Sequence, residues 1–277
     1  MALTEFTNQG LRFEVTAGGD PQGRPVLLLH GFPADRYCWD GIAGRLHDAN
    51  YRTLAPDQRG YSPAASPRPR SAYRIESLLS DVVALADAAG AATFDVVGHD
   101  WGAVVAWHAA IRHPDRVRSV AALSVPHPGA FAAALRHGDQ LLRSWYMAAF
   151  QLPGLPEYLL GRGHATKFRH QLEASGLDAA TAARYAERAR RHAMRGPLNW
   201  YRAALLDARQ PLAPVEVPAM FVWGDADRYV TSRAASGCAA WMRGPARCET
   251  LGGVSHWIPE EAGVAAGELL IEHLRSC

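Results

Sequence analysis

Hydrophobic positions along this chain switch between two periods, and the switches mark out its elements. Two short alternating segments open it, one ending near Phe6 and one over Leu11 to Val15. The turn signal Asn8-Gln9-Gly10 between them predicts a hairpin. Pro25-Val26-Leu27-Leu28-Leu29 is a continuous apolar run, the pattern of a strand buried on both faces. Strands are then predicted over Tyr51 to Ala55, Thr93 to Val97 and Val117 to Ser124, with helices over Ile75 to Asp87 and Trp101 to Arg112. In the first helix Ile75, Leu78, Leu79, Val82 and Ala86 fall on one face at the helical repeat. Strands alternating with helices of this length predict a mostly parallel central sheet flanked by helices, an α/β fold.

From His127 to Asp207 the rhythm is purely helical, broken by Pro153-Gly154, Pro156, Gly161 to Gly163 and Gly196-Pro197. The α/β rhythm returns with strands at Ala219 to Trp223 and Arg247 to Leu251, and helices at Thr231 to Trp241 and Pro259 to Leu274. The expected organisation is a core over 1–126, an inserted all-helical cap over 127–210, and the rest of the core over 211–277. Ser62 to Arg70, rich in Pro and Ser, reads as a surface loop.

Composition narrows the function classes. With 277 residues, 48% of them apolar, the chain can bury a full core. Its 29 basic and 27 acidic residues leave a formal charge of +2, too even for a nucleic-acid-binding or polybasic membrane domain. No signal-peptide pattern opens the chain, and charges break every apolar stretch before the ~18 residues of a membrane span. Cys38, Cys238, Cys248 and Cys277 are scattered without metal or staple spacing. Free thiols and a cytoplasmic location are expected, with no metal, cofactor or nucleic-acid partner. Arg184 to Arg195 is Arg-rich but interrupted by Glu187, and reads as a solvated cap helix. Of the twelve histidines, His47, His137, His170 and His273 read as helix-surface residues.

The sharpest chemical signal is Gly98-His99-Asp100-Trp101-Gly102, where a predicted strand meets a predicted helix. Small residues flanking a central nucleophile are what a tight strand-to-helix elbow needs, with Asp100 in the nucleophile's place. The same residue also fits a plain helix N-cap. His30-Gly31-Phe32-Pro33 follows the buried strand, and its loop is expected beside the elbow, where the Phe32 and Trp101 N–H groups would form an oxyanion hole. Gly224-Asp225-Ala226-Asp227 and Val254-Ser255-His256-Trp257 each follow a strand and supply acid and base in the order this topology requires. The G-x-x-D spacing favours Asp227 over Asp225 as the partner of His256. An Asp nucleophile attacking a saturated carbon leaves an ester, which water can cleave, whereas Ser would leave an inert ether. The substrate electrophile is therefore expected to be a saturated carbon with a leaving oxygen or halide.

With Asp57-Gln58-Arg59-Gly60-Tyr61-Ser62 added to these motifs, the chain resembles the epoxide hydrolase and haloalkane dehalogenase branch of the α/β-hydrolase superfamily, from residue 30 to residue 257. Arg59 reads as a structural ion-pair residue of that stretch. The resemblance implies hydrolysis of an apolar epoxide to a vicinal diol, with Tyr146 and Tyr201 of the cap donating to the epoxide oxygen. On spacing alone, both tyrosines fit core positions of helical stripes equally well. Phe32, Trp101 and Trp39 are expected to wall the pocket, with ordinary packing the alternative for Trp39. Dehalogenases of the branch commonly carry Asn where this chain has Phe32, and fluoroacetate-type members carry Arg where it has Trp101. Haloalkane dehalogenation and a non-catalytic small-molecule-binding role stay open as alternatives.

Overall fold

In the computed structural model, which describes residues 3–161, 165–191, 194–208 and 210–277, eight strands form one sheet in the order β1-β2-β4-β3-β5-β6-β7-β8. Strands β1 (Glu5–Asn8) and β2 (Leu11–Gly18) form the expected hairpin, and β2 pairs antiparallel with β4 (Tyr51–Pro56). From there every pairing is parallel: β4 with β3 (Arg24–Leu29), then β5 (Phe94–His99), β6 (Val117–Leu123), β7 (Ala219–Gly224) and β8 (Ala246–Leu251). Val26 to Leu29 are essentially inaccessible, as the continuous apolar run required. Alternate residues of β3 feed two cores: Leu27 and Leu29 pack on one side of the sheet, Val26 and Leu28 on the other.

Helices α1 (Asp40–Asp48), α2 (Ile75–Ala88) and α3 (Trp101–Arg112) follow the early strands. Seven more, α4 (Pro128–Leu135), α5 (Gly138–Arg143), α6 (Trp145–Ala149), α7 (Leu155–Leu160), α8 (Ala165–Ala174), α9 (Ala179–Arg191) and α10 (Arg195–Asp207), make an all-helical insert between β6 and β7. The expected helix over Thr231 to Trp241 is two pieces, α11 (Ser232–Ser236) and a 3-10 turn over Cys238–Trp241, divided at Gly237. The expected C-terminal helix is likewise α12 (Ile258–Glu261) and α13 (Gly263–Arg275). Among the predicted breaks in the helical insert, Arg162 and Gly163 lie outside the described residues.

Helix α1 carries only Ile42 and Leu46 as buried apolar residues and contains Gly41 and Gly44, too sparse a stripe to show in the pattern. His273 is buried rather than on a surface, 5% exposed, and burial pushes its pKa down to about 4. His47 is half-buried, 2.7 Å from Thr53 Oγ1. The Arg-rich stretch departs further from expectation. Arg184 and Arg188 of α9 turn inward to Asp35 at 2.8 and 2.9 Å, and Arg188 also reaches Asp57 at 3.2 Å, tying the insert to the core.

Arg59 forms the expected buried pair. Its Nε and Nη2 both donate to Asp81 at 2.7 Å, and its side chain is 3% exposed. Its backbone oxygen accepts from the Trp200 indole of α10 at 2.8 Å. Asp81→Ala should therefore leave a guanidinium without a counter-charge and cost ~3–5 kcal/mol of stability, read as a lowered urea midpoint. An unchanged midpoint would mean that Arg59 finds water in the folded state.

Candidate active site

The elbow takes its shape from close approach. Asp100 ends the β5 turn with φ 53° and ψ −120°, a left-handed backbone held between β5 and α3. A Cβ on Gly102 would lie 1.8 Å from the Leu29 carbonyl oxygen, so only glycine lets the helix start so close to β3. At Gly31 a Cβ would lie 2.3 Å from the Asp100 side chain, which leaves the carboxylate free to settle against the loop after β3. There Phe32 N donates to Asp100 Oδ1 at 2.7 Å. Trp101 begins α3, so its N–H belongs to the first turn, where no carbonyl of the same helix precedes it.

The second carboxylate oxygen faces His256. His256 Nε2 lies 3.4 Å from Asp100 Oδ2, and its Nδ1 lies 2.7 Å from Asp227 Oδ2. Asp227 Oδ1 accepts from the N–H groups of Tyr229 at 2.6 Å and Val230 at 2.9 Å, so the loop backbone fixes the carboxylate. Asp225 is elsewhere, accepting from Gly253 N at 2.6 Å in a turn contact. Burial works against a charged imidazole, yet the two carboxylates overcome it and push the His256 pKa up to about 10. Burial likewise opposes ionisation of Asp100, but His256 more than offsets it and holds the pKa below the usual range.

Tyr146 of α6 and Tyr201 of α10 come from helices well separated along the insert and meet with ring centroids 6.1 Å apart. Both line the cavities that contain Asp100 and His256. Burial, reinforced by the charge on Asp100, raises both phenol pKa values well above the usual figure, so both stay protonated at neutral pH. Trp101 packs edge-on against Tyr201 at 5.0 Å, and Phe32 does the same at 5.5 Å. Trp39 is a correction. It is 1% exposed and lines neither cavity, because it belongs to the buried core cluster that holds Val26, Leu28 and Ile42.

Two cavities, of about 340 and 670 Å³, share Asp100, Tyr146, Tyr201, Tyr229 and His256 in their walls. Tyr229 was not anticipated. It sits 5.0 Å from the His256 ring and 5.8 Å from Tyr146, and no periodicity in its loop pointed to it. His99 was also missed as a support: its Nε2 lies 2.8 Å from the His256 carbonyl oxygen, to which Ser124 Oγ also donates at 2.6 Å.

The sequence matches the alpha/beta hydrolase fold model over residues 24–262. It is 33% identical to Epoxide hydrolase A of Mycobacterium tuberculosis, covering 96% of this chain and 94% of that protein. The chain belongs to the α/β-hydrolase fold family, among its epoxide-hydrolase-like members. A similar relationship holds with the AB hydrolase superfamily protein YfhM of Bacillus subtilis, 32% identical over 98% of both chains. The crystal structure of Epoxide Hydrolase A from Mycobacterium thermoresistibile superposes with a TM-score of 0.84 at 30% identity, over 98% of this chain and 97% of the other. For a hydrolase of this branch, the two candidate acids make a clean comparison. Asp227→Asn should slow turnover by ~10⁴ if the carboxylate sets the imidazole tautomer as in serine hydrolase triads, while Asp225→Asn should leave the rate nearly unchanged. Equal losses in steady-state assays would mean that the loop, and not the carboxylate, matters.

Proposed function

We propose that this α/β-hydrolase opens epoxides to vicinal diols through an ester on Asp100. The observation that carries this reading is the placing of two protonated phenols, Tyr146 and Tyr201, in the same cavity as a carboxylate backed by His256 and Asp227. Oδ2 of Asp100 attacks one epoxide carbon and the carbon–oxygen bond breaks. The departing oxygen, still attached to the other carbon, takes a proton from a tyrosine and becomes a hydroxyl. Oδ1 becomes the ester carbonyl and keeps its bond from Phe32 N.

Esterification also removes one of the two charges that stabilise the His256 cation. The imidazole then falls back toward its ordinary pKa and its proton passes to the tyrosinate, which restores the phenol and leaves a neutral His256 as the base for the second step. Water, deprotonated by His256, adds to the ester carbon. The oxyanion forms on Oδ1, already facing the Phe32 N–H, and collapse expels the diol and restores the carboxylate.

The test is a panel of aryl, alkyl and fused-ring epoxides beside haloalkanes of matched size, scored for diol formation and halide release. Diol from epoxides with little halide release supports the reading. Halide release alone would make the enzyme a dehalogenase, and neither product would leave a binding role.

A further inference from the structure

The smaller cavity extends from the shared tyrosines along one face of α3, past Trp101, Val104 and Val105, to His108. Eight positions separate Asp100 from His108, a rise of about 12 Å along a helix. The wall between them is apolar, completed by Phe131 and Leu135 from α4. Besides the indoles and the residues shared by both cavities, its polar side chains are Tyr73, His108, Asp207 and Gln210. Three of these are engaged: Tyr73 donates to the Pro67 carbonyl, Asp207 accepts from Arg74 and Ile75 N, and Gln210 joins Arg112, Glu76 and Asp207. His108 is 9% exposed, and its ring has no hydrogen-bond partner among the described residues.

With no protein partner, the imidazole is left to hydrogen-bond whatever occupies the cavity it lines, water or a polar group of a ligand. Resting on the epoxide reading of the site, we propose that His108 is a specificity-determining residue that hydrogen-bonds an uncharged oxygen, a hydroxyl or carbonyl, on the limb of an internal epoxide that occupies the smaller cavity. The ring suits a neutral partner: burial, with Arg112 adding to it, lowers its pKa to about 4, so it offers one donor and one acceptor. The Asp207 carboxylate in the same wall is already held by Arg74 and the Ile75 N–H, and the wall between Asp100 and His108 is apolar, which suits an uncharged limb. On the other side of the waist formed by the five residues that both cavities share, the larger cavity takes the second substituent.

The test uses two trans-epoxides that differ only at the end of one chain of about eight carbons, chosen against the ~12 Å rise to His108, one ending in methyl and one in a primary alcohol. Wild-type enzyme should prefer the alcohol about tenfold in kcat/KM, the scale of one net hydrogen bond with the penalty of leaving a buried partner unmet. His108→Phe should abolish or reverse that preference, chiefly by raising KM for the alcohol, and His108→Gln should restore part of it. His108→Leu serves as a second apolar variant should Phe not fit the wall. A short epoxide that cannot reach His108 is the control. Its turnover with an unchanged alcohol preference in the variants, or with no preference in the wild type, overturns this inference alone. No turnover of any epoxide overturns it together with the epoxide reading.

Discussion

Replacing His256 with Gln should leave the protein loaded with its own substrate. In the proposed cycle the base is needed only for the second step, so His256→Gln lets Asp100 attack and then stops. Since the epoxide oxygen stays on the substrate as a hydroxyl, intact mass should rise by the whole mass of the epoxide. A haloalkane would add its mass less that of the hydrogen halide. Peptide mapping should place the adduct on the segment carrying Asp100, and Asp100→Ala in the same background should remove it. An adduct on any other residue would sink the elbow assignment. Because His256 touches both carboxylates, at 3.4 Å from Asp100 and 2.7 Å from Asp227, the substitution must keep a polar group between them, which Gln does.

The second large effect belongs to the tyrosines. Tyr146→Phe and Tyr201→Phe should each slow ester formation by ~10² or more, and the double variant should all but stop it, because donors of this kind are worth ~10²–10⁴ in rate. The fold should survive, since the phenyl rings keep their packing against Phe150, which lies 5.6 Å from Tyr146 and 4.9 Å from Tyr201. Single-turnover quench measurements separate this step from diol release. Full epoxide turnover by the folded double variant would remove the main support for the epoxide reading.

Most of the scaffold was legible because it rests on local periodicity. A strand buried on both faces must be apolar throughout, and Val26 to Leu29 are. The elbow was legible because sterics leave few residue types for Gly98 and Gly102. Elements without a strong repeat were less so: α1 is too short and glycine-rich to announce itself, and Gly237 cuts a helix that the apolar pattern alone would continue. Side-chain destinations were harder still. Arg188 looks like any charged helix residue until Asp35 and Asp57, more than a hundred positions earlier, arrive beside it. Tyr229 sits in a loop whose conformation follows from Asp227 accepting two backbone N–H bonds, a contact no pattern of polarity encodes. For Trp39, aromatic character and nearness to the His30 loop favoured a pocket wall, and tertiary packing sent it to the core.

The five residues common to both cavities divide the molecule's mutable surface into separate provinces. Val104, Phe131 and Leu135 border only the smaller cavity, while Leu142, Phe168 and Leu172 border only the larger. Changes in either set can reshape one limb of a ligand's seat without disturbing Asp100, His256 or the tyrosines at the waist. A lineage, or a laboratory library, is therefore able to search substrate shapes one half at a time, which turns a product of possibilities into a sum.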